Sequence, residues 1–205
     1  MKTLHIIFAL LLALATKAQD SLANKITMNS TSMPDSKEML HLMRFEGIEY
    51  FKVQFKGAAL NNKRYTIVAK EFKNGKLANT DTVMNTTIFN YIGKIQGDTL
   101  NVTVMASKLD KKHLKLKFMF DRFELNEVYK CLPTDDYSLR DYGASAFVTI
   151  EPGKPFYVFA YILPHEDEDG GKQWCAVESS GKDIETWGKE FGIKHYILFE
   201  MKFFE

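Results

Sequence analysis

From Glu49 onward the apolar positions recur at every second residue, which is the spacing of half-buried strands rather than helices. Phe51, Val53 and Phe55 share one face of the first such run, with Tyr50, Lys52 and Gln54 on the other. Arg64–Phe72 and Lys76–Met84 flank Asn74-Gly75, two residues that tolerate positive φ and therefore predict a tight hairpin turn. Leu100, Val102, Val104 and Ala106, then Leu114, Leu116, Phe118 and Phe120, alternate with polar or smaller neighbours and predict a second hairpin through Leu109-Asp110-Lys111-Lys112. Further strands are expected at Ala146–Ile150, Phe156–Leu163, Gln173–Val177 and Tyr196–Phe204, punctuated by Pro152-Gly153, Pro155, Pro164 and Gly170-Gly171. Asp183–Phe191 reads as a short helix stopped by Gly192, with Trp187 and Phe191 on one side. Lys37–Phe45 satisfies both periods. Leu132–Gly143 breaks the alternation and reads as a long connection between sheets.

Eight or so short strands without alternating helices predict an all-β fold, an antiparallel β-sandwich immunoglobulin-like in style, with one short helix near the C-terminus. Parallel α/β sheets and dinucleotide folds are excluded by the same pattern.

Ahead of the strands, Lys2 and the apolar run Leu4–Leu14, leading to Ala15-Thr16-Lys17-Ala18, form a signal peptide over residues 1–18, too short to span a bilayer. Residues 19–36, rich in Ser, Thr and Asn, read as a flexible tether. Residues 37–205 form the sandwich domain, with a subdivision near Asp136 as the alternative. The leader followed by Gln19-Asp20-Ser21, together with Asp20-Ser21-Leu22, Asp81-Thr82-Val83 and Asp98-Thr99-Leu100, resembles the small secreted all-β proteins of Bacteroidetes-type bacteria. That resemblance implies export to the periplasm, cell surface or medium, and Asp-Ser/Thr-apolar sites for O-glycosylation.

The composition, 45% hydrophobic and 13% aromatic, is enough for a sizeable core. Against 27 basic residues stand 26 acidic ones, and Lys2 and Lys17 leave with the leader, so the mature chain is close to neutral. No nucleic-acid partner and no anionic membrane surface is expected. Cys131 and Cys175, an even pair in an exported chain, are a candidate disulfide, with two buried thiols the alternative.

Candidate chemistry is sparse. His165-Glu166-Asp167-Glu168-Asp169-Gly170-Gly171 is the densest acidic run, but as an EF-hand it lacks the first Asp and the final Glu. Asp167 and Asp169 remain weak ligands for calcium, and no other cofactor is expected. Ser145 begins like a nucleophile elbow but Phe147 stands where the second Gly belongs. Asp135, Asp136 and Asp141 are a weak carboxylate set for glycoside chemistry. His41, His113, His165 and His195 have no recognisable partner in sequence and read as isolated surface or strand-end residues.

The most informative segment is Phe156–Leu163. Strict alternation puts Tyr157, Phe159, Tyr161 and Leu163 on one face, opposite another apolar face, so something must cover it. With Trp174 from the next strand, Tyr157 and Tyr161 are the candidate platform for a ligand, unless the Trp187/Phe191 helix covers them. The expectation is an exported, non-catalytic binding or display module of the bacterial envelope, with a glycan or an envelope protein as its partner. A structural or assembly component of the envelope, and then a secreted hydrolase, are the alternatives.

Overall fold

The computed structural model describes residues 25–89, 93–142, 150–174 and 183–204. The leader, Ser145, Cys175 and most of the strand expected at Ala146–Ile150 lie outside these residues. Among the described residues no helix is long and apolar enough to cross a membrane.

Two five-stranded antiparallel sheets pack face to face. The first contains β1 (Thr27–Thr31), β2 (Glu49–Lys56), β5 (Thr99–Asp110), β6 (His113–Met119) and β7 (Glu124–Lys130), in that spatial order. The second has the order β4 (Lys76–Asn85), β3 (Arg64–Lys73), β12 (His195–Phe204), β9 (Phe156–Ile162) and β8 (Ser138–Asp141). A two-stranded ribbon, β10 (His165–Glu166) with β11 (Lys172–Gln173), projects beyond β9. The second sheet interleaves strands from before and after residue 136, and buried residues of both sheets belong to one core cluster.

The inward files meet as expected from period two. Phe55 packs edge-on against Phe156 and Phe203, while Phe118 meets Phe199. Asn74 and Gly75 adopt φ of 50° and 71°, the mirror-image turn that matches strand twist, and join β3 to β4.

Three elements depart from the sequence reading and a fourth, left open between two periods, is settled. Residues Thr27–Thr31, expected within the tether, add an edge strand to β2, because Ile26 buries itself and bridges Ile150. Lys37–Phe45 is a helix, α1, whose N-cap Ser36 accepts a hydrogen bond from the Met39 amide. The segment Glu124–Lys130 is a strand whose inward file reads Leu125, Glu127, Tyr129, so an acid conceals the alternation. Within the presumed connection, Ser138–Asp141 pairs with β9 as an edge strand.

A β-bulge decides the fate of the aromatic strand. Between Phe199 and Glu200 the register on β9 slips, so that Phe199 faces Phe159 but Glu200 faces Tyr157. One extra residue in a strand reverses the facing of everything beyond it. Phe156, Phe159 and Tyr161 accordingly point into the space between the sheets, and Tyr157 points out.

The outer face of the second sheet is covered by the segment before β12. A 3-10 turn at Ile184–Thr186 runs into the short helix α2 (Trp187–Glu190), and Gly192 with φ of 66° ends it. Trp187 is 1% exposed and meets Tyr142 edge-on, while the Tyr196 hydroxyl accepts the Gly188 N–H and donates to the Glu185 carbonyl. Gly188 lies so close to Gly75 that a β-carbon added to it would stand 2.6 Å from the Gly75 Cα. The Asn74-Gly75 turn is thereby clamped to the covering helix.

Candidate functional site

Tyr157, Tyr161 and Trp174 are not a common platform. Tyr161 is buried between the sheets, its ring 5.7 Å from that of Tyr137. Tyr157 is half-buried on the outer face, where its hydroxyl donates to Glu185 and accepts from Lys70. The Lys70 ammonium also bonds Glu185 at 2.9 Å and Glu200 at 2.8 Å. Burial alone would lower the Lys70 pKa, but these acceptors outweigh it and raise it, so the cluster ties the 3-10 turn to the sheet. Trp174 is half-buried against the core.

Of the acidic candidates, Asp169 is exposed, while Asp167 and the three carboxylates between 135 and 141 have partners within the chain. Asp167 accepts from the Gly171 N–H at 2.5 Å and from Gln173 Nε2 at 3.0 Å, closing the ribbon turn on itself. Among the described residues no group of three His, Cys, Asp or Glu is placed to hold a metal ion. Asp135 pairs with Lys108, Asp136 with Lys172 and Asp141 with Ser30, so the three carboxylates engage separate partners.

A polar chain that sequence reading missed lies at one end of the sandwich. His195, 2% exposed, opens β12 in the inward file. Its Nδ1 is 2.5 Å from the Tyr137 hydroxyl and its Nε2 is 2.9 Å from Glu71, which Lys73 approaches to 2.7 Å. Burial pushes the Glu71 carboxyl up, yet hydrogen bonds from Lys73 and His195 win and hold it below the usual range. With Glu71 a carboxylate, the His195 Nε2–H donates to it. Nδ1 is then the acceptor for Tyr137 O–H, and that hydroxyl accepts the Leu132 N–H. Burial outweighs the adjacent carboxylate at His195 and lowers its pKa, so the ring is neutral near pH 7. Both ring nitrogens are engaged, which leaves His195 no lone pair for a substrate proton. The chain instead fixes the start of the 132–136 connection against β12 and β3.

Two adjoining cavities open over this chain and share Leu132 and Lys194. One, of about 230 Å³, is lined by Lys73, Asn74, Lys130, Cys131, Leu132, Lys194 and His195. The other, of about 470 Å³, is walled by the 132–136 connection, by Leu163, Pro164 and Glu166, and by Phe191 to Lys194. Phe191 is held by packing edge-on against His165, whose Nδ1 bonds the Phe191 carbonyl at 2.9 Å. Cys131 stands half-buried on the cleft wall as a thiol, and its expected disulfide partner, Cys175, lies outside the described residues. Burial raises the Cys131 pKa, so at neutral pH it is a thiol, not a nucleophilic thiolate. No family model, curated protein or solved structure matches the chain.

The signals that might have revealed this cleft are weak in a sequence. Glu71 and His195 stand 124 positions apart, and Tyr137 and His195 58 apart. Only His195 immediately before the apolar run Tyr196–Phe199 marked a polar residue about to enter a core.

Proposed function

We propose that this chain is an exported, non-catalytic binding module whose contact is the cleft at the end of the sandwich, taking a glycan or a projecting group of an envelope protein. The observation that carries the reading is the cleft itself. Its two cavities, each near or within the few hundred Å³ of small-molecule sites, combine carbon-lined walls with a few polar groups on a rigid frame. The ribbon β10–β11 borders it through Glu166, and the fixed Tyr137–His195–Glu71 chain holds its floor, so a ligand meets a preformed surface. Full engagement of His195 and the neutral thiol of Cys131 favour binding over nucleophilic hydrolysis.

Leu132, shared by both cavities and 38% exposed, is the place to test this. Leu132→Trp fills the cleft while keeping the backbone N–H that Tyr137 uses. On a glycan array the wild-type chain retains a defined set of glycans, and the variant loses them with its melting curve unchanged. Undiminished retention by the variant places binding elsewhere, and release of shortened glycans by the wild type makes the chain a hydrolase.

A further inference from the structure

Beyond the cleft, we infer that the outward face of the first sheet is a separate binding surface for a linear acidic polysaccharide. The inward file of β2 holds Val53 and Phe55, and that of β6 holds Leu114, Leu116 and Phe118. Alternation therefore turns Lys52, Lys56, Lys115 and Lys117 to the other side. On β7 Tyr129 is buried and Lys130 exposed, which puts Lys130 on that same outward face. Two acids hold outward positions in these five strands, and both are engaged there. Glu124 bonds Lys117 at 2.7 Å, and Asp110, at the end of β5, bonds the His113 ring. Lys52, Lys56, Lys115 and Lys130 form no ion pair among the described residues. The chain has 27 basic and 26 acidic residues, so five lysines against two acids on one face leave the remainder net acidic. A face of one sign on a nearly neutral chain attracts a partner of the opposite sign.

Strand register arranges these charges as a stripe. Lys52 lies opposite Thr103, and Thr103 opposite Met119, one outward position from Lys117. Lys115 follows, and Lys130 lies opposite His113, one outward position farther on. With about 4.8 Å between strands and about 6.7 Å between successive outward residues, the stripe from Lys56 to Lys130 is roughly 35 Å long. That length suits a polymer rather than a small ion. Beside the stripe, Asn29, Gln54 and Asn101 stand in one row across β1, β2 and β5, where Gln54 Nε2 donates to Asn101 Oδ1 at 3.1 Å. Side-chain amides offer both donors and acceptors, the complement of sugar hydroxyls. Other polyanions find less here. Single-stranded nucleic acid needs rings to stack on, and Tyr50, half-buried, is the one Phe, Tyr or Trp among the outward positions of these strands. A bilayer needs an apolar face to insert, whereas the exposed apolar residues of these strands, Leu109 and Val128, are single side chains two strands apart.

The test is calorimetric titration of the chain with decagalacturonate, with its fully methyl-esterified form and with trigalacturonate. Decagalacturonate binds, and binding weakens as ionic strength rises from about 0.02 to about 0.15 M. The ester, which lacks the charge, and the trimer, which spans only part of the stripe, each bind at least about tenfold more weakly. Lys52→Gln/Lys56→Gln/Lys115→Gln lowers the affinity for decagalacturonate about tenfold or more, and Lys52→Arg/Lys56→Arg/Lys115→Arg retains it. Lys76→Gln/Lys154→Gln/Lys189→Gln removes the same charge from outside the first sheet and changes the affinity less than about threefold. Leu132→Trp leaves it unchanged, which keeps this surface apart from the cleft. No binding of decagalacturonate, equal affinity for acid and ester or for decamer and trimer, or equal losses in the two lysine-to-glutamine sets overturns the inference. Loss in Leu132→Trp without loss in the β2 and β6 lysine variant places the polymer in the cleft and also overturns it. Equal or tighter binding of a thymidine decanucleotide or of phosphatidylglycerol vesicles overturns the choice of a sugar chain.

Discussion

Gly75 is asked to satisfy two demands at once, and alanine substitutions at three glycines separate them. At Gly75 the backbone has φ of 71°, and an added Cβ would stand 2.7 Å from the Lys189 Cγ and 3.1 Å from the Lys189 backbone N. Gly153 has φ of 85° with nothing within 4 Å of the Cβ position, so it reports strain alone. Gly188 carries no left-handed φ, but its Cβ would meet the Gly75 Cα at 2.6 Å and N at 2.8 Å, so it reports close approach alone. A left-handed alanine costs about 1–2 kcal/mol, partly offset by about 0.4–1 kcal/mol of lost unfolded-state freedom. Gly153→Ala should therefore destabilise by about 1 kcal/mol or less. Overpacking against backbone adds about 1–3 kcal/mol, which brings Gly75→Ala to about 2–4 kcal/mol. Gly188→Ala, despite alanine's better helix propensity, should cost about 2 kcal/mol. Urea unfolding followed by tryptophan fluorescence gives all three, with an unchanged m-value as the check that native compactness is preserved. The Gly75→Ala/Gly188→Ala double variant should deviate from additivity because the two sites touch. Equal losses at Gly75 and Gly153, within about 0.5 kcal/mol, would refute the claim that the hairpin turn is clamped to α2.

Further predictions concern burial and pH. Trp187→Ala should cost about 3–5 kcal/mol, since the ring is fully buried over the outer face. Trp187→Phe should cost less than half of that, because the indole N–H it removes is buried without a partner; equal losses in the two unfolding curves would contradict this. His195 is held neutral by burial while the unfolded chain takes up its proton near pH 6.5, so stability present above that value is lost as the pH falls toward and through the lowered native pKa. Melting curves between pH 7 and pH 5 should show that loss, and His195→Gln should flatten it. Glu49 runs the other way: burial raises its native pKa despite hydrogen bonds from the Leu139 N–H and Ser138 hydroxyl, so its contribution is complete below about 4.5 and is lost as the pH rises through the raised value. Glu49→Gln should therefore raise the melting temperature at pH 7 relative to pH 4.5; a larger drop at pH 7 than at pH 4.5 would overturn the assignment.

Much of the sandwich is legible in the sequence because strand alternation is a local signal. Val53 and Phe55, Leu114 and Leu116, and the Asn74-Gly75 turn announce themselves within a few residues. What escapes is set by partners. Glu127 hides β7 because an acid near the sheet edge stays half-solvated, and burial beside Asp81 raises its pKa. The bulge opposite Phe199 and Glu200 is a property of two paired strands, so the predicted Tyr157–Tyr161 platform dissolves once β12 is laid beside β9. The cleft is less legible still. Lys130, Leu132, Phe191 and Lys194 look like ordinary loop and strand-end residues until the sandwich brings the ends of β7 and β9 to the start of β12.

Binding at the cleft is most directly tested by backbone amide chemical-shift mapping of the chain with a glycan it retains. The expected perturbations gather at residues 131–136, 163–166 and 191–195, with the Asn74 turn joining them, and the outer face around Tyr157 stays unmoved. Perturbations gathered instead on α1, where Met39, Leu42 and Phe45 are exposed, or along the open edge of β4, would contradict binding at the end of the sandwich.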